Sequence, residues 1–220
     1  GTLTPRNTNT QELFDHKVTI NVGNTDLNTG MGAGDMVKVS VDGDGTTSLI
    51  NNDGAFGVAS NDGGDGGRYD EINYLGGGKS EAMIFELQGD KVAESAMVTI
   101  TEFYEDEFGP GLDEVGSYEL WLNGAKVQDV TTFKASDLTN SQLLIDGPEC
   151  GFDEIRFMAK EGTTEPGDNS DYSIGSITFD LYQQDVFHYE ITDGDGDKSC
   201  ADLTINIDID NLIDDQTQDV

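Results

Sequence analysis

No window of about 12 residues in this chain carries a convincing apolar period of 3.6, so helices are nearly excluded at the outset. What recurs is a set of short β-branched or alternating runs. They are Lys17–Val22, Met36–Val41, Ala82–Leu87, Met97–Tyr104, Ser117–Leu122, Gln142–Ile145, Glu154–Ala159, Ile174–Tyr182, Val186–Ile191 and Asp202–Ile209. Asp/Asn/Gly clusters separate them: Asp42-Gly43-Asp44-Gly45, Asn52-Asp53-Gly54, 61–67, Gly76-Gly77-Gly78 and 193–197. Trp121 to Val127 reads as a hairpin, because Asn123-Gly124 accepts the positive φ angles of a type I′ turn. A short helical turn is expected only around Ala135–Ser141. About ten strands at this spacing predict an all-β, antiparallel β-sandwich. The length, 220 residues, suits one large β domain or one domain plus part of another.

Charge narrows the function. The chain holds 44 Asp+Glu against 11 Lys+Arg, a formal net charge of −33. Nucleic-acid binding needs a basic footprint, and association with an anionic membrane surface needs the same; both are excluded as partners. No stretch approaches the length of an apolar membrane span and no secretion signal opens the chain, so the expectation is a soluble segment of a longer protein. Eighteen aromatic residues (1 Trp, 7 Tyr, 10 Phe) and 35% hydrophobic composition are enough for a core, which argues against disorder. The acidic charge must then be neutralised or held apart, and Asp-rich loops binding calcium would do both.

Calcium takes six to eight hard oxygen ligands, from carboxylates and from carbonyls on tight Gly turns. The run 61–71 offers Asp62, Asp65, Asp70 and Glu71 among glycines. A second acidic loop carries Glu105, Asp106, Glu107, Asp113 and Glu114, broken by Gly109-Pro110-Gly111; a third carries Asp168 and Asp171. None has the EF-hand spacing, and Asp and Gly also favour ordinary turns. Asp193 to Asp197 reads as a hairpin turn with calcium as an option at a module junction. Arg68, Tyr69, Tyr104 and Phe108 flank these loops and are the candidate ligand contacts, with Lys79 as a further basic neighbour.

Catalysis finds little support. A Ser-His-Asp or Cys-His constellation would need His16 or His188, and His188 sits in a strand-like Phe-His-Tyr. With so many acids, a pair of carboxylates proves nothing about glycoside hydrolysis. Gly76-Gly77-Gly78-Lys79-Ser80 lacks the preceding glycine and following helix of a phosphate loop, and reads as a turn. Cys150 and Cys200 are the only cysteines; a disulfide and two separate thiols are equally consistent with the sequence.

The stretch from Phe187 to Ile209, Phe-His-Tyr-Glu-Ile-Thr-Asp-Gly-Asp-Gly-Asp followed by Ala-Asp-Leu-Thr-Ile-Asn-Ile, resembles the terminal strands of Ig- or cadherin-like repeats in giant bacterial RTX-type adhesins. The middle resembles the ligand-binding modules of such adhesins. The residues that carry this are Gly57-Val58-Ala59-Ser60, Tyr69 to Tyr74, Ser80 to Leu87, Gly151 to Ile155 and Asp168 to Tyr172 with Ser176-Ile177. The resemblance implies a calcium-stabilised sandwich that grips a ligand on another cell; the hairpin over Phe187–Ile209 either completes that sandwich or belongs to a second, Ig-like domain split by the insertion of residues 45–180. Its implied organisation is an N-terminal linker and strands over 1–44, a ligand-binding sandwich over 45–182, a C-terminal hairpin over 183–210 and a linker over 211–220. The implied role is extracellular, non-enzymatic and calcium-dependent: capture of a peptide or protein C-terminal carboxylate by a protein-bound calcium. The alternatives are a lectin-like glycan binder and a structural spacer. The expected state is a monomeric module of a bacterial surface protein, one active in adhesion and biofilm.

Overall fold

The computed structural model describes residues 16–43, 46–60, 70–107, 109–161, 170–192 and 198–207, the last two strands by their backbone only. The strands in chain order begin with β1 (Lys17–Asn21), β2 (Thr25–Asp26), β3 (Met31–Gly32), β4 (Val37–Asp42), β5 (Thr47–Asn52) and β6 (Ala55–Ser60). There follow β7 (Ile72–Gly76), β8 (Lys79–Ser80), β9 (Ala82–Leu87), β10 (Ala93–Thr101), β11 (Val115–Leu122) and β12 (Ala125–Lys126). The last are β13 (Thr131–Lys134), β14 (Gln142–Asp146), β15 (Glu154–Ala159), β16 (Asp171–Leu181), β17 (Gln183–Thr192) and β18 (Lys198–Ile207).

Alternation decides which way each strand faces. In β9, Met83, Phe85 and Leu87 are buried while Ala82, Ile84 and Glu86 turn away; in β15 the buried set is Ile155, Phe157 and Ala159. The first sheet runs β14-β10-β16-β6-β5, with β1 and β7 also paired to β16 and β8 to β7. The second runs β12-β11-β15-β9-β4-β3-β2, with β13 also on β11. The inner faces meet through aromatic rings. Phe56 of the first sheet stands 5.5 Å from Phe85 of the second, edge to face, and Phe133 of the second stands 5.8 Å from Tyr172 of the first. Each such pair adds about 1 kcal/mol beyond the area it buries. The protein is therefore an all-β, antiparallel sandwich, as the spacing of its apolar runs predicts.

Residues 17–181 form one compact unit; residues 1–16 and 182–220 form the other, whose described part is the ladder of β17 on β18. The sequence reading drew a boundary at residue 45, but β1 is hydrogen-bonded to β16 and β4 to β9, so both belong to the sandwich. The hairpin turn at Asn123-Gly124 is present, with φ of 52° and 74°. The expected helical turn is reduced to a 3-10 turn at Ala135–Asp137.

Candidate functional site

Register builds a concavity on the outer face of the second sheet. Asp42 of β4 stands opposite Ala82 of β9, Ala82 opposite Met158 of β15, Met158 opposite Ser117 of β11, and Ser117 opposite Thr132 of β13. All five belong to the strand faces turned away from the core. One step along, Lys134 of β13 pairs with Val115 of β11, and the Lys160 N–H donates to the Val115 carbonyl at 2.9 Å. Lys134, Val115 and Lys160 thus form a second row across three neighbouring strands. The β7–β8 hairpin supplies a wall, with Gly76, Gly77 and Gly78 all at positive φ in its turn. The result is a pocket of about 850 Å³ whose lining includes Tyr74, Lys79, Ala82, Met158, Lys160 and Glu161. Tyr74 is 5% exposed; its hydroxyl accepts the Gly78 N–H at 2.8 Å and donates to Glu161 at 3.4 Å.

Two buried carboxylates lie beside this pocket. Glu81, between Ser80 and Ala82, is 1% exposed. Its Oε2 accepts both the backbone N–H and the side-chain amide of Asn73 at 3.0 Å, while its Oε1 is buried with no hydrogen-bond partner. The Asn73 amide also donates to the Glu71 carbonyl at 2.7 Å, and Glu71 is itself buried. Glu114, next to Val115, accepts the Tyr104 N–H at 2.6 Å and the Asp171 N–H at 3.0 Å. Burial pushes its carboxyl up to about 9, the two backbone donors oppose that, and the charges of Asp171 and Glu107 add to it.

The sequence-derived metal residues are placed as follows. Asp70 adjoins β7, and Glu71 is buried beside Asn73. In the second acidic loop the carboxylates cap the loop's own backbone: the Asp106 N–H donates to Asp113 at 3.2 Å and the Gly111 N–H to Asp106 at 2.5 Å. Ser136 also donates to Asp113, and that hydroxyl holds the Asp113 carboxyl below its ordinary range, helped by the Asp106 N–H and the Lys134 charge. Glu105 and Glu107 are exposed at the tip of the loop, and Asp171 opens β16. Among the described residues, no three His, Cys, Asp or Glu side chains stand close enough together to hold a metal ion. Asp62, Asp65, Arg68, Tyr69, Phe108 and Asp168 lie outside the described residues. Tyr104 is 45% exposed and donates to Glu102 at 2.7 Å, away from the pocket. Cys150 is exposed and free.

Sequence reasoning missed Glu81, Lys134, Met158 and Lys160. Lys134 lies in β13, Met158 in β15, Lys160 just beyond β15 and Glu81 between β8 and β9, so it is the pairing register that brings these segments together. Further along the same outer face, the Arg156 guanidinium lies 3.9 Å from the centre of the Trp121 ring, whose N–H donates to Glu119 at 3.1 Å. Arg156 therefore covers one face of the most conspicuous outer aromatic.

No protein-family model matches the sequence, and no curated protein does. Two solved structures align with it. One is a low-affinity xylan-binding module, CBM86, from the gut symbiont Roseburia intestinalis, at 14% identity and a TM-score of 0.40, covering 75% of this chain and 95% of that one. The other is a GH31 CBM32-2 module bound to GalNAc, at 13% identity and a TM-score of 0.36, covering 67% and 98%.

Proposed function

We propose that residues 17–181 form a non-catalytic binding module that takes a carbohydrate in the pocket on the outer face of the second sheet. The observation that carries this is the make-up of that pocket. Its volume falls within the usual range for small-ligand sites, about 300–1,000 Å³. Ala82, Val115 and Met158 give it an apolar floor, while Ser80, Thr132, Asp42, Glu161 and three lysines ring it with donors and acceptors. A pyranose has the same two-sided chemistry, with C–H faces and a rim of hydroxyls that both donate and accept. The peptide-terminus reading, with calcium bridging the carboxylate, fits this lining less well. Among the described residues of the lining, Lys134 and Lys160 form no ion pair, and ammonium groups repel a divalent cation.

Calcium belongs elsewhere in this proposal, as a structural ion. Glu81 Oε1 is a buried acceptor without a partner, and the Asn73 side-chain N–H that bonds Glu81 Oε2 belongs to the same amide group that bonds the Glu71 carbonyl, so carboxylate and carbonyl oxygens adjoin there. These are hard oxygen donors of the kind calcium takes. Bound there, the ion would supply charge neutralisation, and Asn73 would hold Glu81 in place through its two hydrogen bonds. The setting we propose is the outer surface of a bacterial cell, within a longer adhesin-like chain.

The test is binding of the chain to a panel of neutral and acidic oligosaccharides by calorimetry, with turnover assayed in parallel. Ala82→Trp fills the floor of the pocket from its outer side. It should abolish glycan binding while leaving the far-UV spectrum unchanged. Retained binding in Ala82→Trp, or a peptide ligand with no glycan ligand, would overturn the reading.

A further inference from the structure

We infer that the sugar taken by this pocket is acidic: a glycan carrying an isolated uronic-acid residue, whose carboxylate sits between Lys134 and Lys160. This rests on the carbohydrate reading above and names its ligand class.

The chain has 11 Lys+Arg against 44 Asp+Glu, yet two of those bases, Lys134 and Lys160, stand in one pocket lining without an ion pair among the described residues. The concentration follows from register. Lys134 and Lys160 flank Val115 on its two neighbouring strands, so their Cα atoms are about 10 Å apart, twice the strand spacing. Phe133 and Ala159, the residues before them, are core, so both lysines turn outward over Val115. Their long side chains can meet above it. Among the described residues neither forms an ion pair within 4 Å, although acids abound; Lys134 feels the charge of Asp113. Two ammonium groups that converge on one site repel each other, and an anion between them removes that cost. A carboxylate carried by the ligand would supply it directly, without a bridging metal.

The charge of the whole molecule limits what kind of anion this can be. A polyuronate with a charge on every residue brings its own field against −33, whereas a mostly neutral glycan with one carboxylate meets the lysines alone. Salt therefore separates the two: it weakens the single lysine–carboxylate contact and relieves the polyanion's repulsion.

The experiment titrates the chain with a glucuronic-acid-terminated disaccharide, its methyl ester, the neutral glucose analogue and an oligogalacturonide. A tripeptide with a free C-terminus and its amide complete the set, each at 20 and 300 mM NaCl. The acid should bind at least tenfold tighter than its ester and the neutral analogue at low salt, and lose most of that ratio at high salt. The oligogalacturonide should move the other way. Lys134→Gln and Lys160→Gln should each bring the acid-to-ester ratio towards one, while Lys17→Gln, whose partner Asp180 lies on the other sheet, should not. Equal binding of acid, ester and neutral sugar overturns the inference and leaves the carbohydrate reading standing. Binding of no sugar in any form overturns that reading itself. Binding of the free-carboxylate peptide alone places the carboxylate on a protein terminus, and the uronate is then wrong.

Discussion

Glu114 shows how a carboxylate can be placed by backbone rather than by metal. Both its oxygens receive backbone N–H groups, from Tyr104 and Asp171, and its own carbonyl accepts the Ala135 N–H at 3.1 Å. One residue, through its side chain and its carbonyl, thereby ties three segments together. Burial, reinforced by Asp171 and Glu107, raises its carboxyl from an ordinary 4.5 to about 9. The folded chain thus holds this proton more tightly than the unfolded chain does. Below about pH 4.5 both states keep it and folding is not penalised. Between there and about 9 only the unfolded state releases it, so stability falls as pH rises, by at most about 1.4 kcal/mol per pH unit. Urea unfolding in EDTA from pH 5.5 to 8.5 should show this decline, and Glu114→Gln should flatten it. The variant loses about 1 kcal/mol at pH 5.5, because its amide faces one of the two backbone donors. Parallel pH curves for the two proteins would show that Glu114 is not the group responsible. From sequence alone, Glu114 is one acid in an acidic loop. Whether a carboxylate caps a turn or awaits a cation depends on which N–H groups lie within reach, and that is set by strands far away in the chain. Glu81 was harder still, since it sits at the mouth of the apolar run Ala82–Leu87 and carries no turn signal.

At the scale of elements, the turns were the most legible part. Asn123-Gly124 was readable because its positive φ angles suit few residue pairs, and Asp53-Gly54, at φ of 47° and 95°, closes β5 on β6 in the same way. The strands β5 and β6 themselves escaped notice. Thr-Ser-Leu-Ile-Asn-Asn is half polar, and Ala-Phe-Gly-Val-Ala-Ser is nearly all buried and so shows no alternation. The glycine in β6 is there for space. A Cβ at Gly57 would stand 2.0 Å from the Asp70 carbonyl oxygen, which is backbone and cannot swing aside. This close approach seats Asp70 against β6 and leads directly into Glu71 and β7. Gly57→Ala should therefore cost about 1–3 kcal/mol, the usual price of overpacking. It should also displace the Glu71–Asn73–Glu81 cluster, whereas Gly54→Ala, with open space around it, strains only a turn. Hydrogen exchange is the check: Gly57→Ala should speed exchange at Asn73 and Glu81, whose amides are bonded to Glu81 and Asn73 respectively. Unchanged protection there would separate Gly57 from the cluster.

For the whole molecule the dominant quantity is −33. Charge of that size opposes compaction by self-repulsion, and salt relieves it as the Debye length shrinks from about 30 Å at 0.01 M to about 10 Å at 0.1 M. Any added salt should therefore raise the unfolding midpoint, and a calcium effect must be measured above that background. The sequence made the need for neutralisation legible without showing where it is met. In the acidic loop at 105–114, Asp106 and Asp113 turn their carboxylates onto the loop's own N–H groups, while Glu81 holds a buried oxygen with no hydrogen-bond partner. Likewise Lys134 and Lys160, unremarkable in the sequence, gained meaning only from register, whereas Lys79 had already stood out as a basic residue near the acidic loops. If calcium binds the folded chain alone, a concentration one hundredfold above its dissociation constant stabilises by about 2.7 kcal/mol per site. At about 2–4 °C per kcal/mol for a chain of this size, the midpoint should rise by roughly 5–11 °C. Magnesium at the same ionic strength should give only the screening part, because it resists dehydration and demands octahedral geometry. Glu81→Gln should lose the calcium-specific increment and keep the screening part. Equal shifts with calcium, magnesium and sodium at matched ionic strength would remove calcium from the account, leaving the 105–114 loop as a turn that caps itself.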